Sequence, residues 1–391
     1  KEINIQSSSW TKIGSNLTSF GNRMKDIGAK VSGVGSALTK GVTAPLVAGA
    51  GIAIKAAMDY ESAFAGVRKT VDETATTSYE RLSNGIRNMA KEMPASAVQI
   101  AKVAEVAGQL GVKADSILSF SKTMIDMGES TNLSAEEAAT AIAKIGNVLG
   151  LTSKDYSRFG SSVVDLGNNF ATTERDIVEM TNRLAAGGKL AGLTAPEILG
   201  LATAMSSVGI EAEAGGTAMT QTLTAIGKAV SGVGKGATEK LETIASVSGM
   251  TAEQFSRAWK EKPSQALQSF IKGLQKASDE GRNMDGILGE LGMTGVRQGN
   301  MLKSLALSSD KMTDAVNRSN KAWKENSALT SEAQKRYETT ESQLKIFKNK
   351  LTDIAIEFGG PLLKALNSGL DAAKPWLQTL SDMAKKFSEM S

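Results

Sequence analysis

Glu136 and Glu137, two and three residues after Ser134, form the kind of acidic pair from which a general acid could be drawn. Their place in the first turn of an acidic, Ala-rich helix is also what the helix dipole favours, and we read them as capping residues. The glycine-rich run Ser231-Gly232-Val233-Gly234-Lys235-Gly236 invites comparison with a phosphate loop. It lacks both the four-residue spacing between glycines and the Lys-Ser/Thr that cradles phosphates. Gly33-Val34-Gly35 follows a helical pattern and has no third glycine, so both runs read as loops or packing positions. Met124-Ile125-Asp126-Met127 resembles a fragment of a Met-rich binding groove, although methionine fills cores more often. With no cysteine and no histidine, thiol nucleophiles, imidazole or thiolate metal sites, Ser-His-Asp triads and disulfides are excluded. A cell-wall hydrolase of the lytic transglycosylase type needs only one carboxyl of raised pKa and survives that exclusion. Four Trp and four Tyr, thinly spread, give no aromatic sugar cleft and no base-stacking platform. We expect no catalytic, cofactor or metal site.

The elements that would hold any such residue are helices. Aromatics make up 5% of the chain and apolar residues 41%, so most apolar mass is Ala, Val, Ile, Leu and Met, suited to close helix packing. Strand-like alternation is nearly absent, and the one Asn-Gly pair, Asn84-Gly85, lies in a helical pattern. Capping boxes mark helix starts at Ser96 with Gln99, Ser134 with Glu137, Thr173 with Asp176, Thr194 with Glu197 and Thr251 with Gln254. Gly111, Gly150, Gly209 and Gly249, each followed by an apolar residue, mark helix ends. All six prolines can sit at or just before a helix start.

Laid end to end, these signals repeat. First helices begin at Ser96, Ser134 and Thr173, and second helices near Asp115, Ser153 and Thr194, a period of 38 to 39 residues. Phe120 and Phe159, Gly111 and Gly150, and Gly128 and Gly167 recur in register. The unit is a helical hairpin, and the predicted fold is all-α, hairpins packed in a layered bundle, with a solenoid as the alternative.

Both ends carry heptad seams. Trp10, Ile13, Leu17, Phe20, Met24, Ile27, Val31, Val34 and Leu38 step by 3 and 4, a coiled-coil pattern. Gly14, Gly21, Gly28 and Gly35 follow every second member, although each helical glycine costs about 1 kcal/mol relative to Ala. A partner helix or the wall of an enclosing tube approaching the backbone would explain them, and a flexible Gly/Ser-rich arm is the bland alternative. A second seam runs Ala333, Tyr337, Thr340, Leu344, Phe347, Leu351, Ile354 and Phe358. It predicts an unbroken helix from about Ser309 to Phe358, roughly 75 Å long at 1.5 Å per residue, serving as an oligomer seam or lying across the bundle. Two helices, 362–373 and 375–388, would follow. The expected division is an arm over 1–58, a hairpin core over 59–308 and the long amphipathic and closing helices over 309–391.

The formal charge of +4 is too small to imply nucleic-acid binding, although residues 1–58 hold seven Lys/Arg against Glu2 and Asp26. Gly41 to Ile54 is uncharged but shorter than the roughly 20 residues a span needs, so insertion into a membrane is a rival reading and not the prediction. The first residue is Lys, which suggests a missing N-terminus.

The run Ala56-Ala57-Met58-Asp59-Tyr60-Glu61-Ser62-Ala63-Phe64-Ala65-Gly66-Val67 resembles the segment that opens the core of phage tail tape measure proteins. Asn132-Leu133-Ser134-Ala135-Glu136-Glu137-Ala138-Ala139, Gly295-Val296-Arg297-Gln298 with the Leu-rich helix after it, the long amphipathic helix, and Gly359-Gly360-Pro361-Leu362 follow in the family's order. The resemblance covers about residues 40–375. It implies a non-enzymatic molecular ruler and scaffold of a phage tail or tailocin, self-associating and in contact with tube, tip and assembly-chaperone proteins. Such a protein lies in the tail lumen, and in the host cytoplasm before assembly, with DNA as passing cargo. Heptad helices supply the rise and stiffness a ruler needs, whereas folded hairpins consume chain without adding length. The hairpin region is either a globular domain at one end of the ruler or opens during assembly.

Overall fold

A computed structural model of the chain describes residues 44–357 and 359, with side chains from residue 53 onward. Among the described residues there are helices and no strands. The compact unit that carries most of them runs from Asp59 to Asp353. The first part of α1 (Ala44–Thr70) and the described residues from Ile354 onward fall in a second unit. Seam residues Trp10 to Leu38, Phe358 and the two closing helices lie outside the described residues.

Within the larger unit the chain continues through α2 (Tyr79–Ala90), α3 (Ala97–Gln109), α4 (Ile117–Ser130), α5 (Ala135–Leu149), α6 (Ser153–Asn169), α7 (Glu174–Leu190), α8 (Ala195–Ser207) and α9 (Ala212–Val230). Each N-cap expected from sequence is in place: Ser96, Ser134, Thr173, Thr194 and Thr251 precede their helices. Four of these close full capping boxes, while Thr173 accepts from the Asp176 amide without the return bond. The glycine stops are equally literal. Gly111, Gly150, Gly209 and Gly249 have φ of 71° to 80°. The apolar residue after each donates its amide to a carbonyl one turn back, as Val112 does to Ala107 at 3.0 Å and Leu151 to Gly146 at 2.9 Å. The Ser231–Gly236 run is the loop after α9, with all three of its glycines at positive φ.

The repeat gives two rows. Helices α3, α5, α7 and α9 pack side by side in one, and α4, α6 and α8 in the other. Beyond them α10 (Ala237–Val247), α11 (Ala252–Glu261), α12 (Pro263–Asp279), α13 (Met284–Glu290) and α14 (Val296–Ala306) gather at the α9 end. Phe255, Phe270, Leu274, Leu302 and Leu305 are buried there in a core continuous with Leu184, Leu201 and Ile226 of α7 to α9.

The last part of the chain departs from the sequence expectation. In place of one helix from Ser309 to Phe358 there are three: α15 (Ser309–Glu325), α16 (Ala328–Tyr337) and α17 over 340–357. The first break is Asn326, the one non-glycine residue with positive φ (49°) among those described. The second lies at 338–339, where Thr339 accepts the Ser342 amide and caps α17. Short polar side chains that bond to nearby backbone compete with helix propagation, a signal that an apolar period of 3.5 does not carry.

These three helices form a third layer. They return along the second row in reverse order, α15 on α8 and α6, then α16 on α6 and α4. Asn349 of α17 then reaches the turn before α3. Their contact with the row is close and partly polar. Arg318 donates twice to the Asp165 carboxylate at 2.7 and 3.0 Å. The Asn326 amide donates to Ser157 Oγ at 3.1 Å and its carbonyl accepts from Ser161 Oγ at 3.2 Å. At Gly200 of α8, an added Cβ would stand 2.5 Å from Val316 Cα, so only glycine permits this approach of α15.

Candidate interaction surface

Two of the acidic groups nearest to a chemical role, Glu137 and Asp126, are committed to structural bonds. Glu137 receives both Arg175 terminal nitrogens, at 2.9 and 2.8 Å, and the Ser134 amide at 2.8 Å. Those bonds to the charged form, Arg175 first, hold its pKa at about 2. A carboxyl so acidic serves as cap and tie between α5 and α7, not as a proton donor at neutral pH. Asp126 of α4 is nearly buried, and each of its oxygens has a partner, Tyr337 Oη at 2.6 Å and Lys122 Nζ at 2.7 Å. Burial, with Asp126 beside it, pushes the Tyr337 hydroxyl well above its ordinary value and keeps it a donor. Burial also raises Glu129, against the opposing pull of Lys345. Met124 and Met127 are fully buried core residues. Among the described residues no group of acidic side chains is arranged to hold a metal ion, and no helix is long and apolar enough to cross a membrane.

What the surface offers is α17. Two stripes run along it at heptad spacing. Ser342, Ile346, Asn349 and Asp353 step by 4, 3 and 4 and are buried. Asn349 donates to the carbonyls of Met93 at 3.1 Å and Ala95 at 2.9 Å, closing the turn before α3. Asp353 accepts from Arg87 Nε at 2.6 Å, with Lys91 Nζ at 3.4 Å. The other stripe, Leu344, Phe347 and Leu351, is 64%, 59% and 52% exposed, and Ile354 continues it at 51%. The helix is thus amphipathic in the inverted sense, with polar anchors inward and large apolar side chains outward. Scattered exposed leucines are ordinary, but a contiguous stripe on one helix marks an interaction surface.

The second predicted seam is therefore divided by the fold. Ala333 and Tyr337 face the bundle, and Leu344, Phe347 and Leu351 face away from it. Residues that fix the third layer, namely Asn326, Arg318, Asn349 and Asp353, escaped the sequence reading. The signal for two of them was the stripe Ser342, Ile346, Asn349 and Asp353, polar but for Ile346, parallel to the apolar one.

The sequence matches the family of phage-related minor tail proteins over residues 83–291, more than half of the chain. It is also 22% identical over 236 residues to a probable tape measure protein of Halomonas phage phiHAP-1. That match covers 57% of this chain and 27% of the relative, so the chain spans little more than a quarter of that protein. No solved structure matches. The matched region starts within α2 and takes in both helix rows, where the caps and glycine stops lie. The family match covers more than half of the chain, so the chain belongs to the phage-related minor tail protein family, the tape measure group its motifs resemble, and is a structural protein of a phage tail.

Proposed function

We propose that the chain is a segment of a tape measure protein, the molecular ruler and assembly scaffold of a phage tail or tailocin tube, and that it performs no bond-making step. The observation that carries this is the match to a probable tape measure protein over 57% of the chain. The heptad seam from Trp10 to Leu38, with glycine after every second member, suits rod-like association in a confined tube, with tube, tip and chaperone proteins as partners. The 59–353 unit is then a folded body attached to the ruler and not part of its measured length. Buried, satisfied polar ties such as Asn349 and Asp126 support this, since such networks specify one arrangement.

The test is genetic. Whole heptads inserted after Leu38 in the encoding phage genome lengthen the tails by about 1.5 Å per residue in electron micrographs. Tails of unchanged length, carrying the lengthened protein, refute the ruler reading.

A further inference from the structure

We propose that the outward stripe of α17, Leu344, Phe347 and Leu351, is a docking surface for an amphipathic helix of another protein whose apolar stripe is flanked by carboxylates. Three observations carry it. The stripe has the 3-and-4 spacing that packs against a second helix, and its side chains are at least half exposed while the polar face is spent on Met93, Ala95 and Arg87. The charged residues flanking its centre are both basic. In heptad terms Leu344 and Leu351 are a positions and Phe347 is d, which puts Lys348 and Lys350 at e and g, one on each side. Neither lysine has an ion-pair partner among the described residues, whereas Glu341, the acid at the start of the stripe, is matched by Lys345 at 2.8 Å.

The same lysines argue against a second copy of this chain as the occupant. Antiparallel self-pairing about the middle of the stripe sets Lys348 against Lys348 and Lys350 against Lys350. Parallel in-register pairing sets Lys348 against Gln343 and Lys350 against Ala355, with no attractive pair in either. A helix with Glu or Asp at its e and g positions neutralises both lysines and covers the apolar side chains at once. Such a docking surface would serve whether or not the chain sets tail length.

The experiment uses the full chain and two synthetic four-heptad peptides with Leu at a and d, one with Glu and the other with Lys at e and g. Fluorescence anisotropy at low salt is expected to show binding of the Glu peptide and none of the Lys peptide, with the affinity falling as salt rises. Lys348→Glu with Lys350→Glu, both at exposed positions, weakens the Glu peptide about tenfold and admits the Lys peptide. Leu344→Ser with Leu351→Ser abolishes binding of both, with circular dichroism confirming that each variant keeps its helix content. Equal binding of the two peptides, or binding of neither, overturns the proposal. So does sedimentation showing that the wild-type chain self-associates and that the Leu344→Ser, Leu351→Ser variant does not.

Discussion

Gly200→Ala and Gly227→Ala make one chemical change in two helices, and the structure expects them to move stability in opposite directions. In an exposed helix interior alanine is favoured over glycine by about 0.5–1 kcal/mol, because the unfolded chain loses conformational freedom. At Gly227 in α9 an added Cβ meets nothing within 4 Å, so that gain should appear undiminished. At Gly200 the new methyl would stand 2.5 Å from Val316 Cα and 2.8 Å from both Ala315 O and Val316 N. These are backbone atoms of α15, which cannot turn aside as the end of a side chain can. Restoring ordinary carbon contacts requires α8 and α15 to part by about 1 Å. Overpacking of that kind costs about 1–3 kcal/mol, which leaves a net loss of about 0–2.5 kcal/mol after the propensity gain. The parting also strains the Arg318–Asp165 and Ser162–Ser319 bonds on the neighbouring helix. Urea unfolding of the full chain followed by helical ellipticity reads both variants against wild type. A Gly200→Ala midpoint raised above wild type, as at Gly227, would mean that α15 does not lie on α8 as described.

Three further predictions test the polar ties. Asn326→Ala should cost about 1–3 kcal/mol in the same unfolding assay, from a left-handed residue that alanine tolerates poorly and from the loss of its bonds to Ser157 and Ser161; Asn326→Gly should recover part of that loss, and equal midpoints for the two variants would remove the backbone part of the account. Asn349→Leu fits the helix but strands the carbonyls of Met93 and Ala95, so a loss of about 1–3 kcal/mol is expected, and none would show that water replaces the amide. The carboxyl of Glu137, ordinarily near 4.5, is held at about 2 in the fold; its contribution is therefore complete above the ordinary value and drains away as pH falls toward 2. Thermal unfolding between pH 2 and 5 should show a shallower pH dependence for Glu137→Gln, which keeps the cap acceptor but not the charge, and an unchanged slope would dissociate the Arg175 pair from acid stability.

Local sequence fixed the local structure almost residue by residue. A Ser or Thr with its partner three residues on, or a glycine before an apolar residue, satisfies helix-end groups from within a few residues of chain, so Ser134 and Gly150 could be read without knowing what lies beside them. The 38-to-39-residue recurrence of those signals likewise foretold layered helical hairpins, because similar units that each expose an apolar face cover one another. Long-range partners had no such local trace. The expected single helix from Ser309 failed at Asn326 because its left-handed backbone is secured by Ser157 and Ser161, about 165 residues earlier in the chain. On α17 the sequence offers two stripes of the same period, and hydrophobicity alone would turn Leu344, Phe347 and Leu351 inward. Tertiary structure turned Asn349 and Asp353 inward instead, because the surface they meet presents two open carbonyls and the Arg87 guanidinium, polar groups that would be costly to bury against leucine.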